Sequence, residues 1–332
     1  YLSGIKDDGA CLEGVQYWTY GFGFYIYFAA LLKEKTGEDI TSSDKVKRLA
    51  EFGQNMYMGG IPASFSDCEP SAPPLTGLTG LLQSLYPGEI AAPPCKHERS
   101  DDCGRWAHYI RSFLYKPVYE NATEFEAVYE PSQLYVNHKY DLSLFIKGGC
   151  NNEPHNHNDI GSFIVADKDG QLLCELGSGE YVDGYFADNT RYSYLACSSL
   201  GHNVPVINGA GQKAGAEYAC DDFVCGKDHV RLSIGGAYGA GIAVIREIEI
   251  KSDSIILHDS FSGARSVTER FISRIKPVVT GDKTVIGRLY MNCAFNVTKT
   301  QFAGHDGVVV PVYILEHEVS GDSFYHEIKL IH

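Results

Sequence analysis

Apolar residues fill every side of the run at 11–35, CLEGVQYWTYGFGFYIYFAALLKEK, which is too long for a strand and closes in charged residues before Gly37. A helix that is apolar all round has to be covered all round, so the pattern predicts a buried helix, kinked near Gly21 and Gly23. Ser43 precedes DKVKRLAEFGQNMYM, where Val46, Leu49, Ala50, Phe52 and Met56 recur at roughly helical spacing before Gly59 and Gly60 stop the run. That predicts a second helix. Two more are expected over 75–85 and 102–114, with Pro/Gly-rich connections at 70–74 and 87–94 between them. Beyond about residue 116 the period shortens to QLYVNHK, LSLFIKGG, GSFIVAD, QLLCELG, AVIREIEI, SIILHDSF, VVVPVYILEHEV and YHEIKLIH, with turn signals such as Lys168-Asp169-Gly170 and Ser252-Asp253. Many strands without intervening helices imply an antiparallel sandwich and exclude a parallel α/β sheet. The expected class is therefore α+β and multidomain, with a helical segment at 1–118 and a β-sandwich at 119–332.

Charge narrows the partners. Against 42 Asp and Glu stand 28 Lys and Arg, a net charge of −14, the wrong sign for neutralising many phosphates, so nucleic acid is excluded as a partner. No stretch approaches the ~20 unbroken apolar residues of a membrane span, and no membrane partner is expected. The 10 cysteines are scattered without a CxxC, which reads as reduced thiols and favours a cytoplasmic setting. A periplasmic or secreted setting stays open, because the chain begins at Tyr1 and reads as the remainder of a longer polypeptide. The 22 Tyr against 2 Trp suit sugar contacts, since tyrosine offers a stacking face and a hydroxyl on one stiff side chain.

The densest polar cluster is GGCNNEPHNHND at 148–159, which leads into the apolar run after Ile160. In extended chain His155 and His157 point to one face, so they converge on one site or serve two adjacent ones; an ordinary surface loop would also explain the polarity. Glu175 in QLLCELG and His202 in GHNVPVING both lie among apolar residues. Two imidazoles and a carboxylate from separate segments suit zinc, whereas Glu175 alone would read as the solvent face of an edge strand. On the first helix Glu13, Tyr17, Tyr20, Phe24 and Leu31 fall along one stripe. Core packing explains such a stripe, and so does a proton donor or acceptor made from phenols.

Together DGACLEGVQYWTYG, SFSD at 64–67, GGCNNEPHNHNDIGSF at 148–163, LLCELGSGEY at 172–181, RYSYL at 191–195 and GHNVPVINGAGQ at 201–212 resemble the heparinase II/III-like polysaccharide lyases. The resemblance spans roughly residues 7–215. It implies the last helices of an (α/α) toroid followed by the family's antiparallel β-sandwich, and cleavage of uronic-acid-containing oligo- or polysaccharides by β-elimination. By the same resemblance Tyr17 matches the catalytic tyrosine, with Tyr20 second choice in that motif, and His155 the catalytic histidine. His157, Glu175 and His202 match a structural zinc site. Glu13, Asn151, Asn156 and Arg191 are then the candidates for binding substrate carboxylate or hydroxyls. The sequence departs from the family at Cys150, where His or Asn is expected, and at Glu175, where Asp is commoner. The implied partner is an acidic oligosaccharide or polysaccharide, with a homodimer left open.

Two other functions fit parts of the sequence. A glycoside hydrolase of (α/α) type would need two carboxylates flanking the bond, with Glu13 and Asp7 or Asp8 the ones at hand. A non-catalytic carbohydrate-binding protein would keep zinc for folding alone.

Overall fold

The computed structural model describes residues 1–93, 95, 106–119, 124–139 and 142–331. Four helices come first: α1 at Val15–Thr36, α2 at Asp44–Asn55, α3 at Thr76–Leu85 and α4 at Trp106–Leu114. The expected helix over 102–114 is thus seen from Trp106; its first four positions, including Cys103, lie outside the described residues. A small antiparallel hairpin pairs Tyr57–Met58 with Ile61–Pro62. From Phe125 onward every sheet is antiparallel.

Local chemistry sets the helix ends. Gly37 closes α1 in the left-handed conformation at φ 79°, its N–H donating to Lys33 O at 3.0 Å. The Ser43 hydroxyl accepts from Val46 N at 3.4 Å and caps α2. Helix α1 runs unbroken through Gly21 and Gly23, and it is not buried all round. Val15, Trp18, Phe22, Ile26 and Ala29 form its covered stripe, whereas Tyr20, Phe24, Phe28 and Leu31 are exposed. Glu13 falls outside the expected stripe, because Gly14, at φ 97°, precedes the first helical residue.

The first sheet has five strands in sequence order, Phe125–Tyr129, Leu134–Lys139, Leu142–Lys147, Phe163–Asp167 and Gly170–Leu173. Its middle strands read as continuous apolar runs because both faces are covered. Leu134, Val136, Phe145, Ile164 and Ala166 face the helices and share a core with Phe22, Ile26, Leu49 and Phe52. Alternate residues Tyr135, Leu144, Ile146, Phe163 and Val165 face the second core. There they meet Val230, Leu232, Val244, Ile248, Leu257 and Ile328 of an eight-stranded sheet. A four-stranded sheet, in the order Asn296–Ala303, Val309–Glu318, Val267–Ser273 and Val206–Ile207, continues the layer beside the first sheet, with Cys174 N donating to Ile272 O at 2.9 Å. Among the described residues the chain is therefore four α-helices followed by an antiparallel β-sandwich. Arg246 is enclosed in that sandwich, bonded to both Asp259 oxygens and to the carbonyls of Gly161 and Asn203.

Among the described residues no helix is long and apolar enough to cross a membrane. The nine described cysteines are free thiols. Burial pushes the Cys68 and Cys174 thiols up to about 12, so they pack as small hydrophobes.

Candidate active site

The site lies where the start of α1, the loop after the small hairpin and the loop at 148–162 meet. Gly14 makes that approach feasible: a Cβ there would stand 2.8 Å from Phe65 O. Two non-glycine residues flank the junction in left-handed backbone, Ser66 at φ 56° and His155 at φ 54°. Each costs about 1–3 kcal/mol, and such strain gathers where side chains must be aimed.

Asp67 is the hub. Its Oδ2 accepts from His155 Nδ1 at 2.9 Å and from Arg191 Nη2 at 3.0 Å; its Oδ1 accepts from His157 Nε2 at 3.0 Å and from the Tyr185 hydroxyl at 2.8 Å. Burial pushes this carboxyl up, but the hydrogen bonds from both histidines and the Arg191 charge outweigh it and hold the group far below the usual carboxylate range. An ionised carboxylate only accepts, so His155 carries its proton on Nδ1 and His157 on Nε2. In the neutral imidazole His155 then presents its lone pair on Nε2.

Tyr17, on the first turn of α1, lies flat against His155, with ring centroids 4.1 Å apart and planes 29° apart. The two expected catalytic groups stand side by side in contact, which leaves no room for a sugar between them; a substrate has to meet their edges. The Tyr17 hydroxyl is 3.0 Å from that of Tyr181. Burial raises the Tyr17 phenol, so it is a neutral proton donor near neutral pH. Tyr20 sits farther along α1, 54% exposed and edge-on to Phe24.

The remaining candidates divide between the site and its support. Asn156 is buried beneath His155, its Oδ1 accepting from Tyr192 at 2.9 Å and its carbonyl from Arg191 Nη2 at 3.0 Å. Arg191 is buried too, and its Nη1 has no partner among the described residues. Asn151 donates to Gln212 Oε1 at 3.3 Å and to Lys213 O at 2.8 Å. Glu13 is half-buried just ahead of α1. Asp8, which a hydrolase would enlist with Glu13, accepts from the amide and the hydroxyl of Ser132, and Asp7 pairs at the surface with Lys45.

Two groups have metal-binding chemistry, Asp67–His157–Cys197, which includes the hub, and Asp159–Glu175–His202, each with its donor atoms within 4.8 Å of one another. The expected ligands are thus spread over both: Glu175 bonds to His202, while the His157 ring lies 5.3 Å from the His202 ring. Their hydrogen bonding suits a metal. His202 Nε2 donates to Ala196 O at 2.8 Å and His157 Nε2 to Asp67, which leaves the two Nδ1 atoms as potential ligands. His157 Nδ1 and Asp159 Oδ2 are buried without a partner among the described residues. Burial lowers His157 to about 4, so its imidazole is neutral, as a ligand must be. Burial also pushes Glu175 up, while the Glu175 charge outweighs burial and raises His202; without a metal the pair shares a proton. Lys147 reaches Asp159 Oδ1 at 2.6 Å from the opposite side.

Sequence reasoning gave Asp67, Tyr181 and Tyr185 no role. Asp67 and Tyr181 stand in the quoted SFSD and LLCELGSGEY segments, but a lone carboxylate in a loop carries no spacing signal. Glu175 is not in a strand, since the fifth strand ends at Leu173.

No family model and no curated protein matches the sequence. Among solved structures 47 chains match. They include a heparinase III (TM-score 0.71, 12% identity, 98% of this chain and 53% of that one). A heparan sulfate lyase mutant from Pedobacter heparinus has TM-score 0.72 at 11% identity, over 98% of this chain and 54% of that one. A Streptomyces coelicolor chondroitin AC lyase mutant has TM-score 0.51 at 10% identity, over 94% of this chain and 52% of that one. At such identities the likeness carries the fold. The chain spans about half the length of these solved chains.

Proposed function

We propose that the protein is a polysaccharide lyase of the heparinase II/III-like kind, cleaving uronic-acid-containing oligo- or polysaccharides by β-elimination. One observation carries the reading: Tyr17 is stacked on a His155 whose Nδ1 is held by Asp67, so that a phenol lies beside an imidazole whose uncommitted nitrogen is Nε2. His155 Nε2 takes the proton from C5 of the uronate. The C5–H electrons become the C4=C5 double bond, the C4–O4 bond breaks with its electron pair leaving on O4, and Tyr17 gives O4 its proton. The raised Tyr17 phenol favours this assignment over the reverse one, because a base would have to start ionised. Arg191 and Asn156 hold the loop that carries His155, and Arg191, whose buried Nη1 has no partner among the described residues, is the candidate for the substrate carboxylate. Glu13 remains a candidate for the sugar hydroxyls, whereas Asn151 is fully buried and bonded to Gln212 and Lys213, which makes it a support of the loop.

His157, Glu175 and His202, with Asp159 as a fourth candidate, would hold a structural zinc ion that ties the loop at 155–159 to the segments at 174–176 and 196–203. The ion would supply cross-linking. Asp67 stands between the two sites, with Oδ1 bonded to His157 and Oδ2 to His155, and the proposed steps use only Tyr17 and His155.

Product inspection tests the reading. The full-length protein, offered alginate, glycosaminoglycan and pectic oligomers, should form a conjugated, ultraviolet-absorbing unsaturated uronate from at least one of them. A saturated reducing end would indicate hydrolysis, and binding without any product a carbohydrate-binding protein.

A further inference from the structure

We propose that Tyr181 is a positioning residue for the elimination: its phenol donates to the Tyr17 oxygen and stabilises the phenolate left when Tyr17 has protonated the departing O4. The proposal rests on the lyase reading. The two hydroxyls lie 3.0 Å apart, and Tyr181 reaches Tyr17 from a segment far along the chain. Three rings clamp it: His305 at a centroid distance of 4.1 Å, Phe186 at 4.8 Å and Tyr185 at 4.9 Å. The backbone is fixed as well, because Glu180 N donates to Ala303 O at 3.2 Å and Gly179 bridges Gly304. A turn at 304–307, between the strands Asn296–Ala303 and Val309–Glu318, thereby sets the position of a hydroxyl at the first turn of α1. A donor held so firmly needs little reorganisation when charge develops on its partner, which is what makes a hydrogen bond worth more in the transition state than before it.

The direction of donation follows from burial. Both phenols are raised by burial, Tyr181 further, and their mutual bond lowers Tyr17 while raising Tyr181. Tyr181 thus keeps its proton and Tyr17 is the phenol that releases one. Asp67 and Glu13 oppose ionisation of Tyr17 and Arg191 favours it; His155 covers its face, and His305 stands against Tyr181. No proton leaves Tyr181 in the cycle.

The test is Tyr181→Phe in the full-length protein, which keeps the clamped ring and removes only the hydroxyl. Turnover is followed by ultraviolet absorbance on a uronate polysaccharide that the wild-type protein has been found to cleave. Losing one hydrogen bond to a developing charge should lower turnover by roughly 10- to 100-fold and move the alkaline limb of its pH profile upward by about one to two pH units. The melting temperature should stay close to the wild-type value. A pH profile that superposes on the wild type, whatever the loss of turnover, overturns the proposal while leaving the lyase reading intact. If the wild-type protein cleaves none of the uronate polysaccharides, the lyase reading falls, and this proposal with it.

Discussion

The Asp67 carboxylate and the His155 imidazole, brought together from separate loops, meet at 2.9 Å, and this bond commits Nδ1 and leaves Nε2 as the nitrogen of His155 for chemistry. Asp67→Asn keeps the shape but removes the charge. It leaves Arg191 buried without its counter-ion and no longer selects the tautomer with a free Nε2. Turnover should fall by ~10²- to 10⁴-fold, and stability should drop by about 3–5 kcal/mol, as when one partner of a buried ion pair is removed. Activity assays together with urea unfolding check both; unchanged turnover would remove Asp67 from the mechanism.

How much of this was legible beforehand depended on whether a feature was periodic. The strand over Ala243–Ile250 and the helix over Thr76–Leu85 follow directly from alternation and helical spacing. The apolar runs at Leu142–Lys147 and Phe163–Asp167 could be read as strands, though not that their two faces serve different cores. His155, His157 and His202 stood out because polar residues interrupted apolar chain. Asp67 did not, since its partners come from three distant segments and only the folded chain assembles them. Along α1 helical spacing places Tyr17 and Tyr20 together, and only the tertiary fold separates them, with Tyr17 against His155 and Tyr20 exposed.

A second buried ion pair should be purely structural. Arg246 is fully enclosed, bonded to both oxygens of Asp259 at 3.0 Å and lying 3.4 Å from Glu269. Arg246→Met would strand those acids and should cost about 3–5 kcal/mol, read as a lower urea midpoint with an unchanged slope. A change below about 1 kcal/mol, the ceiling for exposed pairs, would mean that the cluster is held together otherwise.

Acid should weaken the junction between helices and sandwich through His138. Burial lowers this imidazole from 6.5 to about 4, and it rests between Ser143 Oγ and Asn55 O. The unfolded chain takes up the proton more readily, so the neutral buried ring contributes stability that is fully present above about pH 6.5 and is lost as pH falls toward 4, up to about 3 kcal/mol. His138→Gln should flatten that part of the stability-versus-pH curve; an equally steep curve in the variant would assign the acid sensitivity elsewhere.

Removing metal should lower stability before it affects chemistry. If zinc occupies the Glu175–His202 site at about a hundred times its Kd, it adds about 3 kcal/mol, and chelation should lower the melting temperature by several degrees. His202→Ala should lose metal content and thermal stability together. Purified protein free of metal and unmoved by chelator would show that the buried Glu175–His202 pair stands on its shared proton alone.

The central claim is tested most directly by Tyr17→Phe in the full-length protein, with Tyr20→Phe beside it and unsaturated uronate as the readout. Phe keeps the ring stacked on His155 and removes only the proton donor. The account predicts a loss of ~10²- to 10⁴-fold in turnover for Tyr17→Phe, with an unchanged fold and a much smaller effect for Tyr20→Phe. Full turnover in Tyr17→Phe, or loss confined to Tyr20→Phe, would contradict it.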